Sequence, residues 1–247
     1  MSWDPDQYHR FKQQRAAPFR DLKRWLKVRP GLNAVDLGCG TGELTRQLAD
    51  LLPDSQVLGI DTSAEMLSQS QAFERPGLSF RQQNLADVEG QFDLIFSHAA
   101  LHWVENHPWL FARLWDRLLP GGQLLVQMPH NFDHLSHRLA ADIAHTHFDL
   151  RSRVTEVLAP EDYADLLYHL GAQEFEVVLK VYPHVMTDAQ AIVEWTRGTL
   201  LTAYLPQLSP TQQSEFLAIY SRRLGEQMPE KPVFYAFKRL LLQAVKL

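Results

Sequence analysis

Three glycines alternate in the run Val35-Asp36-Leu37-Gly38-Cys39-Gly40-Thr41-Gly42. Such a run lets a ligand approach the backbone closely, because no Cβ stands in the way. An acidic side chain about 20 residues after a loop of this kind accepts hydrogen bonds from ribose hydroxyls. Asp61 follows Gly38 at that interval, with Thr62 beside it, so the pair points to a nucleoside. Charge then selects among nucleosides. A dinucleotide sets a doubly anionic pyrophosphate at the helix N-terminus, yet position 43 is Glu where the dinucleotide pattern has glycine, and Asp36 stands just before the loop. Two carboxylates there repel a pyrophosphate, and NAD fits poorly. S-adenosylmethionine carries adenosine, a positive sulfonium and an amino group, and it suits the loop: Asp36 or nearby carbonyls can receive the ammonium. The plain alternative is a tight strand-to-helix turn with no ligand.

A second set of residues gathers at what reads as the end of the fourth strand. His98 and His102 share i, i+4 spacing, but no carboxylate or third histidine follows at a telling interval, so no metal is expected. His98 is instead a candidate contact to the acceptor, because ligands bind outside the carboxyl ends of such strands. His130, Arg197 and Arg239 add cationic or hydrogen-bonding capacity, and Trp103 and Trp195 are further candidates for that pocket. Phe11, Trp25, Phe111 and Trp115 sit at helical spacings that read as packing. Arg222-Arg223 and Lys23-Arg24 read as solvated helix faces. No Ser-His-Asp arrangement or nucleophile elbow is evident.

The elements that must hold these residues alternate. Apolar runs at Asn33–Leu37, Gln56–Ile60, Leu78–Gln82, Phe92–Ser97, Gln123–Met128, Phe175–Tyr182 and Lys238–Val245 read as strands. Helical periodicity marks Glu43–Leu52, Ala64–Phe73, Pro108–Leu119, Leu135–Phe148, Glu161–Leu170, Asp188–Thr196 and Thr211–Gln227. Strand–helix alternation of this kind predicts an α/β, doubly wound, mostly parallel sheet of the Rossmann-like type. The expected organisation is one domain over residues 1–247. Within it, 1–129 form the cofactor-binding core, and 130–174 and 184–232 are helical lid insertions that contribute to the acceptor site.

Length and composition agree with this reading. The chain has 247 residues, 45% hydrophobic and 21% charged, enough for a substantial core. Lys and Arg total 24 against 29 Asp and Glu, a net charge of −5, which argues against nucleic acid as the main partner. The lone cysteine, Cys39, cannot form an intrachain disulfide. No secretory signal or membrane-spanning run is apparent, so the expectation is a cytoplasmic protein, monomeric or weakly oligomeric.

These motifs resemble the S-adenosylmethionine-dependent methyltransferases of the seven-stranded class, through Val35 to Gly42 and Asp61. More narrowly, the chain resembles the trans-aconitate methyltransferases. That likeness rests on Trp3-Asp4-Pro5, Tyr8, Phe11, Arg15, Pro18 and Asp21-Leu22, on Phe92 to Val104, on Leu118 to Pro129 with Asn131, and on Ala191-Ile192 with Trp195. The resemblance implies a carboxyl O-methyltransferase with a small acid as partner. It implies that Arg15 approaches the methionine carboxylate, that Met66 lies near adenine, and that Ser97 and His98 floor the methyl-transfer site.

The chain departs from the family pattern at two places. The acidic residue expected after the third strand is replaced by Asn84-Leu85, where Asn84 still offers a carbonyl for the adenine amino group, with Asp87 as a substitute. In Trp195 to Leu205, Thr202 stands near where the family has an arginine, and threonine cannot make a bidentate charged contact. Arg197, His98, His130 and Arg239 are the residues that would compensate. Alternatives to trans-aconitate as acceptor are a malonyl thioester, or cofactor binding without turnover.

Overall fold

The computed structural model describes residues 12–151 and 157–247, with side chains from residue 17 onward. Strands β1 (Asn33–Leu37), β2 (Gln56–Asp61), β3 (Leu78–Gln82), β4 (Phe92–His98), β5 (Leu118–Pro129), β6 (Glu174–Met186) and β7 (Val233–Val245) form one sheet in the order β3-β2-β1-β4-β5-β7-β6. β1 to β5 pair in parallel, and β7 lies antiparallel to β5. Helices α1 (Lys12–Leu22), α2 (Glu43–Leu51), α3 (Ala64–Ser70) and α4 (His107–Asp116) occur among the first five strands. β1 and β4 are almost wholly buried, as expected of a parallel sheet covered on both faces.

Every run expected as a strand is one, but several boundaries differ: β5 starts at Leu118 rather than Gln123, and β6 runs on to Met186 rather than ending at Tyr182. The helix expected to reach Leu119 stops at Asp116. Arg117 N–H closes the last turn on the Leu114 carbonyl at 3.1 Å, and the Arg117 carbonyl then accepts from Phe92 at 2.8 Å, so Leu118 enters the sheet. β7 begins at Val233, five residues earlier than its apolar run suggests. α3 starts as expected: the Ser63 hydroxyl accepts from Met66 N–H at 3.2 Å.

Contacts divide the described chain into two units. One contains residues 17–129, 157–180 and 239–247; the other contains 12–16, 130–151 and 181–238. Residues 157–180, read from sequence as part of the first insertion, group with the sheet unit. There α6 (Pro160–His169) places Tyr163 against His107 and Phe111 of α4, with its hydroxyl bonded to His107 Nδ1. In the second unit α5 (Leu135–Phe148), α7 (Ala189–Arg197) and α8 (Pro210–Gln227) bury Ile143, Ile192, Trp195, Phe216, Tyr220 and Leu224 in a core of their own. No helix among the described residues is long and apolar enough to cross a membrane.

One buried glutamine ties the segment after α1 to the sheet. Gln123 on β5 accepts from Lys27 N–H at 3.1 Å and donates to the Trp25 carbonyl at 2.7 Å. Gln123→Leu removes the partner of both backbone groups and is expected to cost about 2 kcal/mol. A lowered thermal midpoint in calorimetry checks this; an unchanged midpoint would show that the tie carries no stability.

Candidate active site

β1 feeds β2 on one side of the sheet, while β4 lies on its other side, so the carboxyl ends of β1 and β4 form the switch point where ligands bind in such sheets. Gly38, at φ +83°, closes this junction. A Cβ added there would lie 2.0 Å from Cβ of Ala100, which is closer than any side chain permits. The loops after β1 and β4 are therefore in backbone contact.

Asp61 organises the other side of the glycine loop. Its Oδ2 accepts from Gly40 N–H at 2.9 Å and its Oδ1 from Ser63 N–H at 2.9 Å. The carboxylate thus joins the loop to the N-terminus of α3, while each oxygen keeps a further lone pair. Met66 from α3 brings its Cε to 3.1 Å from the position a Gly40 Cβ would take. Thr62 is exposed, and its carbonyl accepts from Gln82 Nε2 at 3.0 Å. Gly42 opens α2 at φ +78°.

Asp36 lies beneath this loop, 3% exposed, accepting the Thr45 hydroxyl at 2.7 Å. Burial pushes its pKa up to about 7; the Thr45 hydrogen bond lowers it and the Asp61 charge raises it. Burial likewise pushes the neighbouring Cys39 thiol up, helped by the charges of Asp36 and Asp61.

After β3, Asn84 is exposed and uses its Oδ1 to accept from Ala86 N–H at 3.0 Å, capping the turn Leu85–Asp87. The acceptor expected to read adenine thus has one lone pair already engaged. Leu85 is buried, with Cδ1 3.6 Å from the position of a Gly38 Cβ.

At the end of β4, Ser97 and His98 part ways. Ser97 is fully buried and donates to the Leu37 carbonyl at 2.8 Å, so its hydroxyl ties β4 to β1. His98 packs edge-on against Phe19 of α1, ring centres 6.0 Å apart, and its Nε2 is shielded with no partner among the described residues. Burial, with the nearby charge of Arg239, pushes the imidazole down to about 3, so it is neutral at physiological pH. Arg239, on β7 opposite Pro129, is itself buried.

The remaining expected acceptor contacts divide. Trp103 is exposed beside the His102 ring. Trp195 is 2% exposed, packed edge-on against His184 and Phe237 at 5.1 and 5.6 Å. It packs in the core of the helical unit. His130, in the same unit, donates its backbone N–H to the Lys238 carbonyl at 3.0 Å and sets its ring against Phe132. Arg197 ends α7 exposed, and Thr202 is exposed with its hydroxyl bonded to the Thr199 carbonyl. Arg15 lies in α1, but its side chain falls outside the described residues, as do Trp3, Asp4, Pro5, Tyr8 and Phe11 entirely. No cluster of three metal-ligating side chains occurs among the described residues.

Ala100 and Gln127 lie within the family motifs Phe92–Val104 and Leu118–Pro129, but the sequence assigns neither a role. Ala100 is small because Gly38 leaves it no room. Gln127 interrupts the apolar run Leu124-Leu125-Val126 on β5 and pairs in register with His98.

Residues 35–126 match the family described as Methyltransferase domain. The trans-aconitate 2-methyltransferase of Deinococcus radiodurans is 45% identical over 255 residues, covering 100% of this chain and 99% of that protein. This chain belongs to the trans-aconitate 2-methyltransferase family. A family member from Acidovorax ebreus is 37% identical, covering 98% of this chain and 97% of its own length. Among solved structures, the YcgJ protein from Bacillus subtilis aligns with a TM-score of 0.63 at 13% identity, over 95% of this chain and 98% of that one, a likeness of fold. The chain is a methyltransferase with the seven-stranded fold of that enzyme class.

The buried Asp36 makes a pH signature. Its native pKa of about 7 stands above the ordinary 3.8, so between those values the folded state holds a proton that the unfolded state releases. Stability falls as pH rises through that window, and the cost is full above pH 7. Asp36→Asn cannot ionise and keeps an acceptor for Thr45. Its thermal midpoint is expected to gain on the parent from pH 5 to pH 8; a difference flat across that range would refute the assignment.

Proposed function

We propose that this chain transfers a methyl group from S-adenosylmethionine to a carboxylate of a small organic acid, with trans-aconitate as the acceptor. The observation that carries this reading is the 45% identity, over the full length of both chains, to a trans-aconitate 2-methyltransferase; the buried imidazole of His98 agrees with it. A histidine held at about 3 cannot serve as a general base near pH 7. A carboxylic acid, with an ordinary pKa of about 4, arrives already ionised and needs none. An amine or phenol acceptor would arrive protonated and would require one.

The donor set fits the cofactor. The turn from Gly38 to Glu43 carries no cation, and Asp61 and Glu43 flank it with carboxylates. This favours a positive sulfonium and ammonium and disfavours a pyrophosphate. When bound, S-adenosylmethionine supplies a methyl carbon made electrophilic by its positive sulfur. Asp61 would use its remaining lone pairs for the ribose hydroxyls. Met66 and Leu85 offer apolar surface to the adenine, beside Thr62 and Asn84. Asp36 contributes its field through the loop rather than a direct contact, because it is buried and held by Thr45. Arg15 is assigned the methionine carboxylate by family resemblance.

On the acceptor side, Arg239 supplies a cation for a carboxylate and His98 a neutral hydrogen-bonding edge. Neither has to move a proton. Catalysis then rests on alignment of carboxylate oxygen, methyl carbon and sulfur, and on exclusion of water around two opposite charges that disperse in the transition state. The reading makes the protein a cytoplasmic enzyme whose partner is a small diffusible acid. His130, Arg197 and the exposed Trp103 are the further candidate acceptor contacts.

Incubation with methyl-labelled S-adenosylmethionine and trans-aconitate is expected to yield a base-labile methyl ester; absence of label with intact cofactor binding would defeat the acceptor assignment. Asp61→Asn replaces one acceptor oxygen by a donor and is expected to weaken calorimetric cofactor affinity about tenfold or more. Arg239→Met is expected to raise KM for trans-aconitate about tenfold or more while leaving cofactor affinity in place. An unchanged KM would remove Arg239 from the acceptor site.

A further inference from the structure

One face of β4, β5 and β7 carries a column of polar side chains in an otherwise apolar core. Residues paired across neighbouring strands share a face, and so do residues two apart along a strand. His98 pairs with Gln127, Gln127 with Leu241, and Pro129 with Arg239, so His98, Gln127 and Arg239 project to the same side. Phe19 touches both Phe96 and His98 on that face, and Gln123 reaches the Trp25 carbonyl from it, which identifies it as the face beneath the segment containing α1.

The two glutamines of β5 make the contrast. Gln123 is buried with its amide engaged at both ends. Gln127, four residues on and level with the carboxyl end of β4, is fully buried, and neither its Nε2 nor its Oε1 has a partner among the described residues. A buried amide is ordinarily satisfied, and leaving one unpaired opposes folding. A residue retained at that cost opposite the His98 imidazole, with a buried guanidinium at the diagonal position on β7, is built for a partner that arrives later.

We propose that the Gln127 side-chain amide donates from Nε2 to a carboxylate of the acceptor alongside Arg239, and that this carboxylate is an anchoring one, distinct from the carboxylate that is methylated. This rests on the functional reading above and deepens it to acids with two or more carboxylates. The chemistry separates the two roles. An oxygen held by a guanidinium and an amide has its charge stabilised in place and is a poor nucleophile, whereas the attacking oxygen must give its charge to the methyl carbon. Gln127 thus selects acceptors by their second acid group, in place of the arginine contact that Thr202 does not supply.

The test uses the full chain with Gln127→Met and Gln127→Leu, which keep the volume and remove both polar atoms, and Gln123→Leu as the structural control. KM and kcat are measured with trans-aconitate, cofactor affinity by calorimetry, and thermal midpoints without acceptor. Gln127→Met is expected to raise KM ten- to hundredfold, to leave cofactor affinity within about twofold, and to match or exceed the parent's midpoint. Gln123→Leu is expected to do the reverse, lowering the midpoint and sparing KM. An unchanged KM in both Gln127 variants overturns the inference while leaving the functional reading standing. A lowered midpoint with unchanged KM does so too, because it makes Gln127 structural. Failure of the parent enzyme to methylate trans-aconitate at all overturns the functional reading and the inference with it.

Discussion

The approach of the chain to itself at Gly38 sets the geometry of everything around it. Backbone from the end of β1 passes so close to Ala100, after β4, that no side chain fits between them. The loops after two neighbouring parallel strands are thereby fixed at the one point in the sheet where the connections diverge to opposite sides. Asp61 can then reach across to Gly40 N–H, Ser97 can reach Leu37, and His98 comes to lie just outside the junction. A methyl group replacing hydrogen at Gly38 would push the strands' ends apart and displace each of these contacts together.

Around that junction the charges are sorted. The turn after β1 is flanked by the carboxylates of Asp61 and Glu43, and Asp36 is buried deeply enough to hold its proton up to about pH 7. Around the end of β4, burial strips the charge from His98 and places a guanidinium nearby. An electropositive ligand is favoured on one flank and an anion on the other. That is the arrangement a reaction between a sulfonium and a carboxylate requires, because each reactant is drawn to its own flank and the product pair has lost both charges.

Much of this could be read from residue order, and the exceptions have physical reasons. The run Phe92–Ser97 reads as a strand through Phe92, Ile95 and Phe96, and Asn33–Leu37 through its short apolar stretch ending at Gly38. The end of α4 was misjudged because Leu118 and Leu119 continue a helical spacing while their backbone is claimed by Phe92. Trp195 and Ser97 stand out in the sequence through the family resemblance, but the rings that Trp195 packs against and the carbonyl that the Ser97 hydroxyl meets are set by distant parts of the chain. The outline of the glycine loop needed no structure; the burial of Asp36 and the neutrality of His98 did, because both depend on neighbours far along the chain.

Gln123 and Gln127 illustrate how a fold and a function compete for the same residue type. On one face of one strand, the first glutamine satisfies backbone groups and the second has no partner among the described residues. By composition they are indistinguishable, and by hydropathy each is a break in an apolar run. What divides them is position along the sheet: Gln123 lies near the amino end of the parallel strands, where loops turn for structural reasons, and Gln127 lies at the carboxyl end, where ligands bind. Stability alone would favour an apolar residue at 127, as it does at 124 to 126 and 128. A polar group that weakens the empty protein and sits opposite a neutral histidine and diagonal to a buried arginine is accounted for by the acceptor it would hold.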